Sequence, residues 1–330
     1  MTYTTLVQEF RAGLLENTHQ GLVCIVDEKK RIVYSQGDTS QLVLYRSAMK
    51  PLQAIPVFSS NVIRDYQLTK KEAALFTASQ RGELYQQESL QSLITKLNFP
   101  EEILVCGHSY PLNEEPKIKY ICENKPKRKL LHNCAGKHLG FLAYCRDNGY
   151  PLSGYEKIAH PLQQEILQYV AELAELPKEK LATAVDGCGI PVHAVPLKNM
   201  ATSYLKFAVP NLIIDTPTAN AVVNITNTMN AHPEIVASHN FICTALLKDN
   251  NIVAKGGAQG VYCLALKEEK ISIAIKVLSG TELLWPLIVA RLLEKIGYKN
   301  RETIDNLLSI RSKHILNDDG DIVGETKILL

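Results

Sequence analysis

The chain has 330 residues, 46% of them apolar and 21% charged, with a formal net charge of +2. That balance is long and apolar enough for a sizeable core, expected as one large domain over residues 1–330 or two tightly packed ones. Acidic and basic residues are interspersed, which argues against nucleic acid or an anionic membrane as partner. The one basic cluster, Lys125-Pro126-Lys127-Arg128-Lys129, reads as a solvated surface loop.

No apolar stretch reaches the roughly 18 residues of a membrane span, and the first residues lack an export signal, so the expected location is cytoplasmic. Eight cysteines in that setting read as reduced thiols or metal ligands rather than a disulfide framework.

In chain order, Gly21 to Val26 and Arg31 to Tyr34 form two β-rich runs joined by the polar Asp27-Glu28-Lys29-Lys30, a hairpin that is expected to open the fold. Helical spacing follows over Pro51 to Val57, Lys70 to Ala78, Tyr85 to Leu97, Lys137 to Arg146, His160 to Ala174 and Thr218 to Met229. Strand patterning returns at Ile252 to Lys255, Gly260 to Leu266 and Ile271 to Val277. A helix from Thr281 to Ile296 closes the pattern, with Ser279 as its expected N-cap and Glu282 as capping-box partner. The expected class is α+β: an antiparallel sheet from both chain termini, about 1–45 and 250–330, with an inserted helical region at about 46–249.

Arg46-Ser47-Ala48-Met49-Lys50-Pro51 places serine and lysine three apart at a helix start, where i and i+3 share a face. Proline is tolerated there because first-turn amides have no internal partner. A hydroxyl is a weak nucleophile until a base removes its proton, and a lysine serves only when its environment favours the neutral amine. The plain alternative is an N-cap serine and a surface lysine. Later, Lys255-Gly256-Gly257 ends a strand, a partial match to the lysine-threonine-glycine strand of serine β-lactamases, whose first motif is also serine-x-x-lysine. Ser79, after a helical segment, offers another hydroxyl or is a simple turn serine.

His132-Asn133-Cys134-Ala135-Gly136-Lys137-His138 and Asp186-Gly187-Cys188-Gly189 supply thiols, imidazoles and an amine. Two thiolates and one nitrogen leave the fourth tetrahedral position of a Zn²⁺ open. Two unrelated buried thiols are the alternative.

Together these segments resemble the L-asparaginases of the Rhizobium etli type, also called thermolabile asparaginases or the asparaginase II family. They occur in family order across most of the chain. The resemblance implies a fold like serine β-lactamases and glutaminases. It implies two catalytic serine-lysine pairs, Ser47 with Lys50 and Ser79 with Lys255, a zinc held by Cys134, Lys137 and Cys188, and substrate orientation by Arg46, His138 and Asp186. It also implies L-asparagine as the small-molecule substrate and a homodimer. The remaining alternatives are a glutaminase, a β-lactam hydrolase or another serine-lysine hydrolase, and a non-catalytic zinc-binding sensor.

Overall fold

A computed structural model describes residues 2–330. In chain order its strands are β1 (Thr4–Arg11), β2 (Leu14–Val26), β3 (Ile32–Gln36), β4 (Leu42–Leu44), β5 (Ala182–Val185), β6 (Pro191–Pro196), β7 (Ile252–Gly256), β8 (Val261–Leu266), β9 (Ile271–Val277), β10 (His314–Leu316) and β11 (Ile322–Ile328). The chain divides into two compact units. One takes residues up to Ala48 together with Val195–Ala208 and Asn240–Leu330; the other takes Met49–Ala194 and Val209–His239. The class is α+β.

The first unit is built on an antiparallel sheet of order β10-β11-β1-β2-β9-β8-β7, with β3 also on β2. The two termini meet in it, since β1 pairs with β11 from Val7↔Ile328 to Arg11↔Gly324. Every residue of β7 and β8 is buried, so apolar side chains on both faces hold the centre of the sheet, each worth roughly 1.5–3 kcal/mol when fully removed from water. The helix Leu197–Ala208 packs on β2, β8 and β9, inserting Met200, Ala201, Tyr204 and Leu205, all fully buried. Trp285 lies against Tyr262 with ring centroids 5.0 Å apart.

Two expectations for this unit are corrected. The fold opens with β1 rather than with the hairpin of β2 and β3. The connection from β1 to β2 is the two-residue turn Ala12-Gly13, both at positive φ (49° and 80°), the geometry that matches strand twist in tight hairpins. The helix expected to close the pattern runs Trp285–Lys295, with Pro286 in its first turn and Leu284 at the N-cap, and it is not the last element: a helix over Arg301–Ile310 follows, then β10 and β11. Ser279 is instead bound to His19, Oγ to Nδ1 at 3.0 Å. The proline fixes where the helix begins, because its missing N–H costs nothing only in the first turn.

The second unit is mainly helical, with Leu84–Leu97, Ala135–Asp147, Pro161–Ala174 and Thr216–Ala231 as its longest helices. The expected helix Pro51 to Val57 is broken into Lys50–Gln53 and Ile55–Ser59, because Pro56 has no N–H to continue the ladder. Thr69 and Glu72 form a reciprocal capping box for Lys70–Ala74, after which the chain tightens into a 3₁₀ turn at Leu75–Thr77. β5 and β6 pair antiparallel from Ala182↔Ala194 to Val185↔Pro191. Among the described residues, no helix is long and apolar enough to cross a membrane.

Candidate active site

In the sheet unit, Ser47 sits in the 3₁₀ turn Arg46–Met49 just after β4. Arg46 has φ +50°, a left-handed conformation costing roughly 1–3 kcal/mol for a residue with a Cβ. The surroundings over-determine this turn. Tyr45 is fully buried and shares a 2.7 Å hydrogen bond with Ser203. The Ala48 amide donates to Tyr45 O at 3.1 Å, and the Tyr204 hydroxyl donates to Ala48 O at 2.6 Å. A Cβ on Gly257 would stand 2.5 Å from Tyr45 O and 3.3 Å from Ala48 N, so the end of β7 runs flush against the serine turn. Ser47 itself is half-buried.

Lys255 is 1% exposed and donates to Gly256 O at 2.8 Å. Glycine follows it for a reason the sequence does not display: a Cβ on Gly256 would meet the Trp285 ring at 3.0 Å. The amides beside Lys255 are engaged, Gly256 N–H with Cys243 Sγ at 3.2 Å and Gly257 N–H with Val261 O at 2.7 Å. Burial first, and the Arg46 charge second, lower Lys276 from the usual lysine range. Arg46 and Lys276 are thus electrostatic neighbours, a pairing sequence reasoning missed because their proximity comes from sheet geometry.

In the helical unit, Lys50 is completely buried. Its Nζ lies 2.6 Å from Ala78 O, 2.9 Å from Ser79 Oγ and 3.3 Å from Asn133 O. The loop bearing Ser79 is extended and pinned. Ser79 N–H donates to Val236 O at 2.8 Å. Gln80, 1% exposed, donates through Nε2 to Leu131 O at 2.7 Å and His132 O at 2.9 Å and accepts from Gly82 N–H at 2.6 Å. Gln80 is thus the tie between the Ser79 loop and the His132 loop.

Cys134 precedes the helix Ala135–Asp147, which carries Lys137 and His138. Gly136 lets that helix approach the preceding 3₁₀ turn, since a Cβ there would lie 2.4 Å from Leu75 O. Cys188 comes from a tight turn in which Asp186 N–H donates to Ile190 O and Gly189 N–H to Asp186 O, both at 2.9 Å, with Gly189 at φ +86°. The sulfurs of Cys134 and Cys188 and a carboxylate oxygen of Asp186 lie within 4.8 Å of one another. Lys137 Nζ donates to Cys188 Sγ at 3.2 Å.

The two thiols share a hydrogen bond that drives Cys134 well below the ordinary thiol range; burial opposes this, and the charges of Lys50 and Lys137 assist it. The same bond, then burial, pushes Cys188 up. Burial disfavours the Lys137 charge, but Cys188, Cys134 and Asp186 outweigh it and raise the amine. The two sulfurs and, once deprotonated, the Lys137 amine beside Cys188 are ligand types that suit Zn²⁺. His138 is fully buried. Burial, then the Lys137 charge, pushes it well below its ordinary value.

Each unit thus gathers its own share of the residues singled out in the sequence. Arg46, Ser47 and Lys255 belong to the sheet unit; Lys50, Ser79, Cys134, Lys137, His138, Asp186 and Cys188 belong to the helical unit.

Comparison with known proteins gives a family. The model for the family described as L-asparaginase II matches residues 7–328. No curated protein sequence matches the chain. Among solved structures, a β-lactamase from Mycobacterium bovis is similar at 12% identity and TM-score 0.42, over 83% of this chain and 94% of that one. A Bacillus glutaminase is similar at 11% identity and TM-score 0.37, over 84% and 91%. Simvastatin synthase from Aspergillus terreus is similar at 14% identity and TM-score 0.36, over 78% and 86%.

Proposed function

Because the chain belongs to the L-asparaginase II family and is an amidohydrolase, we propose that it hydrolyses the side-chain amide of L-asparagine through an acyl-enzyme on Ser47. The observation that carries this reading is the contact between Lys50, wholly buried, and the Ser79 hydroxyl at 2.9 Å, on the helical turn that begins three residues after Ser47. The Ser47 oxygen attacks the carboxamide carbon. Its proton passes to Lys50, directly or by way of Ser79, and on to the departing nitrogen, so that ammonia leaves and an aspartyl ester remains. Water then attacks the ester, the same groups return the proton to Ser47, and L-aspartate is released.

The oxyanion needs donors fixed in advance. With the Gly256 and Gly257 amides occupied, the Ser47 amide and that of Ala258 are the assignment we favour. Arg46, with Lys276 beside it, suits the substrate carboxylate as a charge-assisted partner, and Asp186 its ammonium. Lys255 is the partner that the family resemblance implies for Ser79. Cys134, Lys137 and Cys188 would hold a zinc ion. When bound, that ion supplies a Lewis-acidic anchor for the amino-acid end of the substrate, while the nucleophile remains the serine.

Brief exposure to L-asparagine, acid quenching and mass spectrometry of the Ser47 peptide should reveal an aspartyl adduct. Ser47→Ala should show none and release ammonia about 10⁴-fold more slowly. Ammonia release at the parent rate would rule the mechanism out. Parallel assays with L-glutamine and a chromogenic β-lactam test the substrate, because one methylene is worth only ~1–3 kcal/mol in a pocket.

A further inference from the structure

β1 and β2 pair with Val7 opposite His19 and Glu9 opposite Asn17, so Glu9 stands diagonal to His19 and within reach of its side chain. On the other side of β2, Gly21 pairs with Val277 of β9, and the Leu278 amide donates to Gln20 O at 2.8 Å. That bond carries the pairing one residue past the end of β9 and brings Ser279 beside His19. Three side chains then form a line. Ser279 Oγ lies 3.0 Å from His19 Nδ1, and His19 Nε2 lies 3.3 Å from Glu9 Oε2. Asn17 Nδ2 donates to the same carboxylate oxygen at 3.2 Å, and Arg311 Nη2 stands 3.8 Å from the other. His19 is 8% exposed, whereas Ser279 is open to solvent.

The placement of protons follows from the acid end of this line. A carboxylate accepts hydrogen bonds and has none to give, so the ring proton sits on Nε2 and Nδ1 turns its lone pair to the serine hydroxyl. A hydroxyl that faces the free nitrogen of an imidazole, with the imidazole oriented by a third group, is the arrangement that turns serine into a nucleophile. Either ring nitrogen can serve as base once the other carries the proton. Helix capping does not occupy Ser279, since Leu284 takes the N-cap of Trp285–Lys295. The Ser279 N–H donates to no described residue, which leaves it for a developing oxyanion.

We propose that Ser279, His19 and Glu9 form a second nucleophilic serine site, one that cleaves small, unhindered aryl esters. Ser279 Oγ bonds to the ester carbonyl carbon while its proton moves to His19 Nδ1, and Glu9 steadies the imidazolium through the Nε2–H. The bond from that carbon to the aryl oxygen breaks, the aryloxide leaves with the electron pair, and an acyl-serine remains. The imidazolium then sheds its proton to solvent. Water, deprotonated by His19, attacks the acyl-serine and releases the carboxylic acid and the free hydroxyl. Esters rather than amides are the class, because an exposed nucleophile with a single amide donor suffices only where the leaving group departs unprotonated. Glu9 touches no reacting atom and is a positioning residue. The site shares no residue with the acyl-enzyme assigned to Ser47, so the two readings can fail separately.

The test uses p-nitrophenyl acetate with the full chain carrying Ser47→Ala, which removes the other serine proposed as nucleophile. Nitrophenolate should be released, and mass spectrometry after acid quenching should find an acetyl group on the Ser279 peptide. Adding Ser279→Ala should abolish that adduct and slow nitrophenolate release about 10-fold or more. His19→Phe should slow acetylation of Ser279 about 10²-fold, as loss of a general base does. Glu9→Gln should slow it about 10-fold and move the midpoint of its pH–rate profile to lower pH, because the imidazolium loses a stabilising negative charge. A merely structural role for Glu9 would leave that midpoint in place. A Ser279 peptide without acetyl, or one acetylated at the same rate in His19→Phe, would overturn the proposal, as would a Glu9→Gln profile with an unmoved midpoint. Should His19→Phe fail to fold, the adduct in the Ser47→Ala chain and the Glu9→Gln profile still decide.

Discussion

The two units use their interiors differently. The centre of the sheet unit buries strands that are almost wholly apolar; of its buried lysines, Lys206 lies on the helix Leu197–Ala208 and Lys255 at the end of β7 on its neighbour's carbonyl. The helical unit buries Lys50, Lys137, His138, Gln80, Gln86 and Glu72 together. Lys50, Gln80 and Lys137 find their partners on loops, whereas Glu72 and Gln86 bond to residues of neighbouring helices, Ser92 and Glu234. The difference teaches where stability and chemistry reside. Apolar burial makes the sheet a rigid support, while an extended polar network gives the helical unit preorganised groups at a high cost for any partner lost.

The sharpest way to break this contrast is to remove the buried lysines in turn. Lys50→Met should slow ammonia release about 10³-fold, as loss of a general base does, and Lys255→Met about 10²-fold. Equal losses would mean that the contact of Lys50 with Ser79 carries no special role.

The glycines give the next largest effect. Gly257→Ala and Gly136→Ala each drive a Cβ into a backbone carbonyl, at 2.5 Å and 2.4 Å, and each should cost about 2–3 kcal/mol in urea unfolding. Gly136→Ala should additionally alter thiol reactivity at Cys134 and Cys188, whereas Gly257→Ala should leave those thiols as they are. Matching thiol behaviour in both variants would show that the polar cluster is not tied to its own helix packing.

The smallest effect concerns pH. Burial acts to raise Glu72, but hydrogen bonds from Lys96, Ser92 and Thr69 prevail and hold its carboxyl below the ordinary 4.5. A depressed carboxylate contributes stability above its unfolded value, and that contribution is lost as pH falls through the folded value. Glu72→Gln should therefore cost about 1–2 kcal/mol at pH 7 and progressively less as pH falls below about 4.5. A cost that stays constant down to pH 3 would show that the ion pair with Lys96 contributes nothing.

Much of the fold was legible because periodicity is a local property. The helices Leu84–Leu97, Pro161–Ala174 and Thr216–Ala231 and the strands β7, β8 and β9 all announce themselves by spacing. The elements that escaped are those whose identity depends on a partner. β1 and β11 carry interleaved polar residues and become strands by pairing with each other across the whole chain. The helix Leu197–Ala208 is positioned by the sheet it covers, and Ser279 lost its expected capping role to His19, 260 positions away.

At the site, the sequence by itself determined the chemical inventory: a serine and a lysine one helical turn apart, a second serine, two cysteines and a lysine near a histidine. Spacing of three or four residues fixes such neighbours because the helix does. Tertiary structure alone decided that Lys50 meets Ser79, that Gln80 ties two loops together, and that Trp285 requires glycine after Lys255. It also decided that His138 Nδ1 meets the Tyr155 hydroxyl. These contacts join residues 17 to 52 positions apart, and no local pattern encodes them, because they arise only when packing brings the chain back on itself.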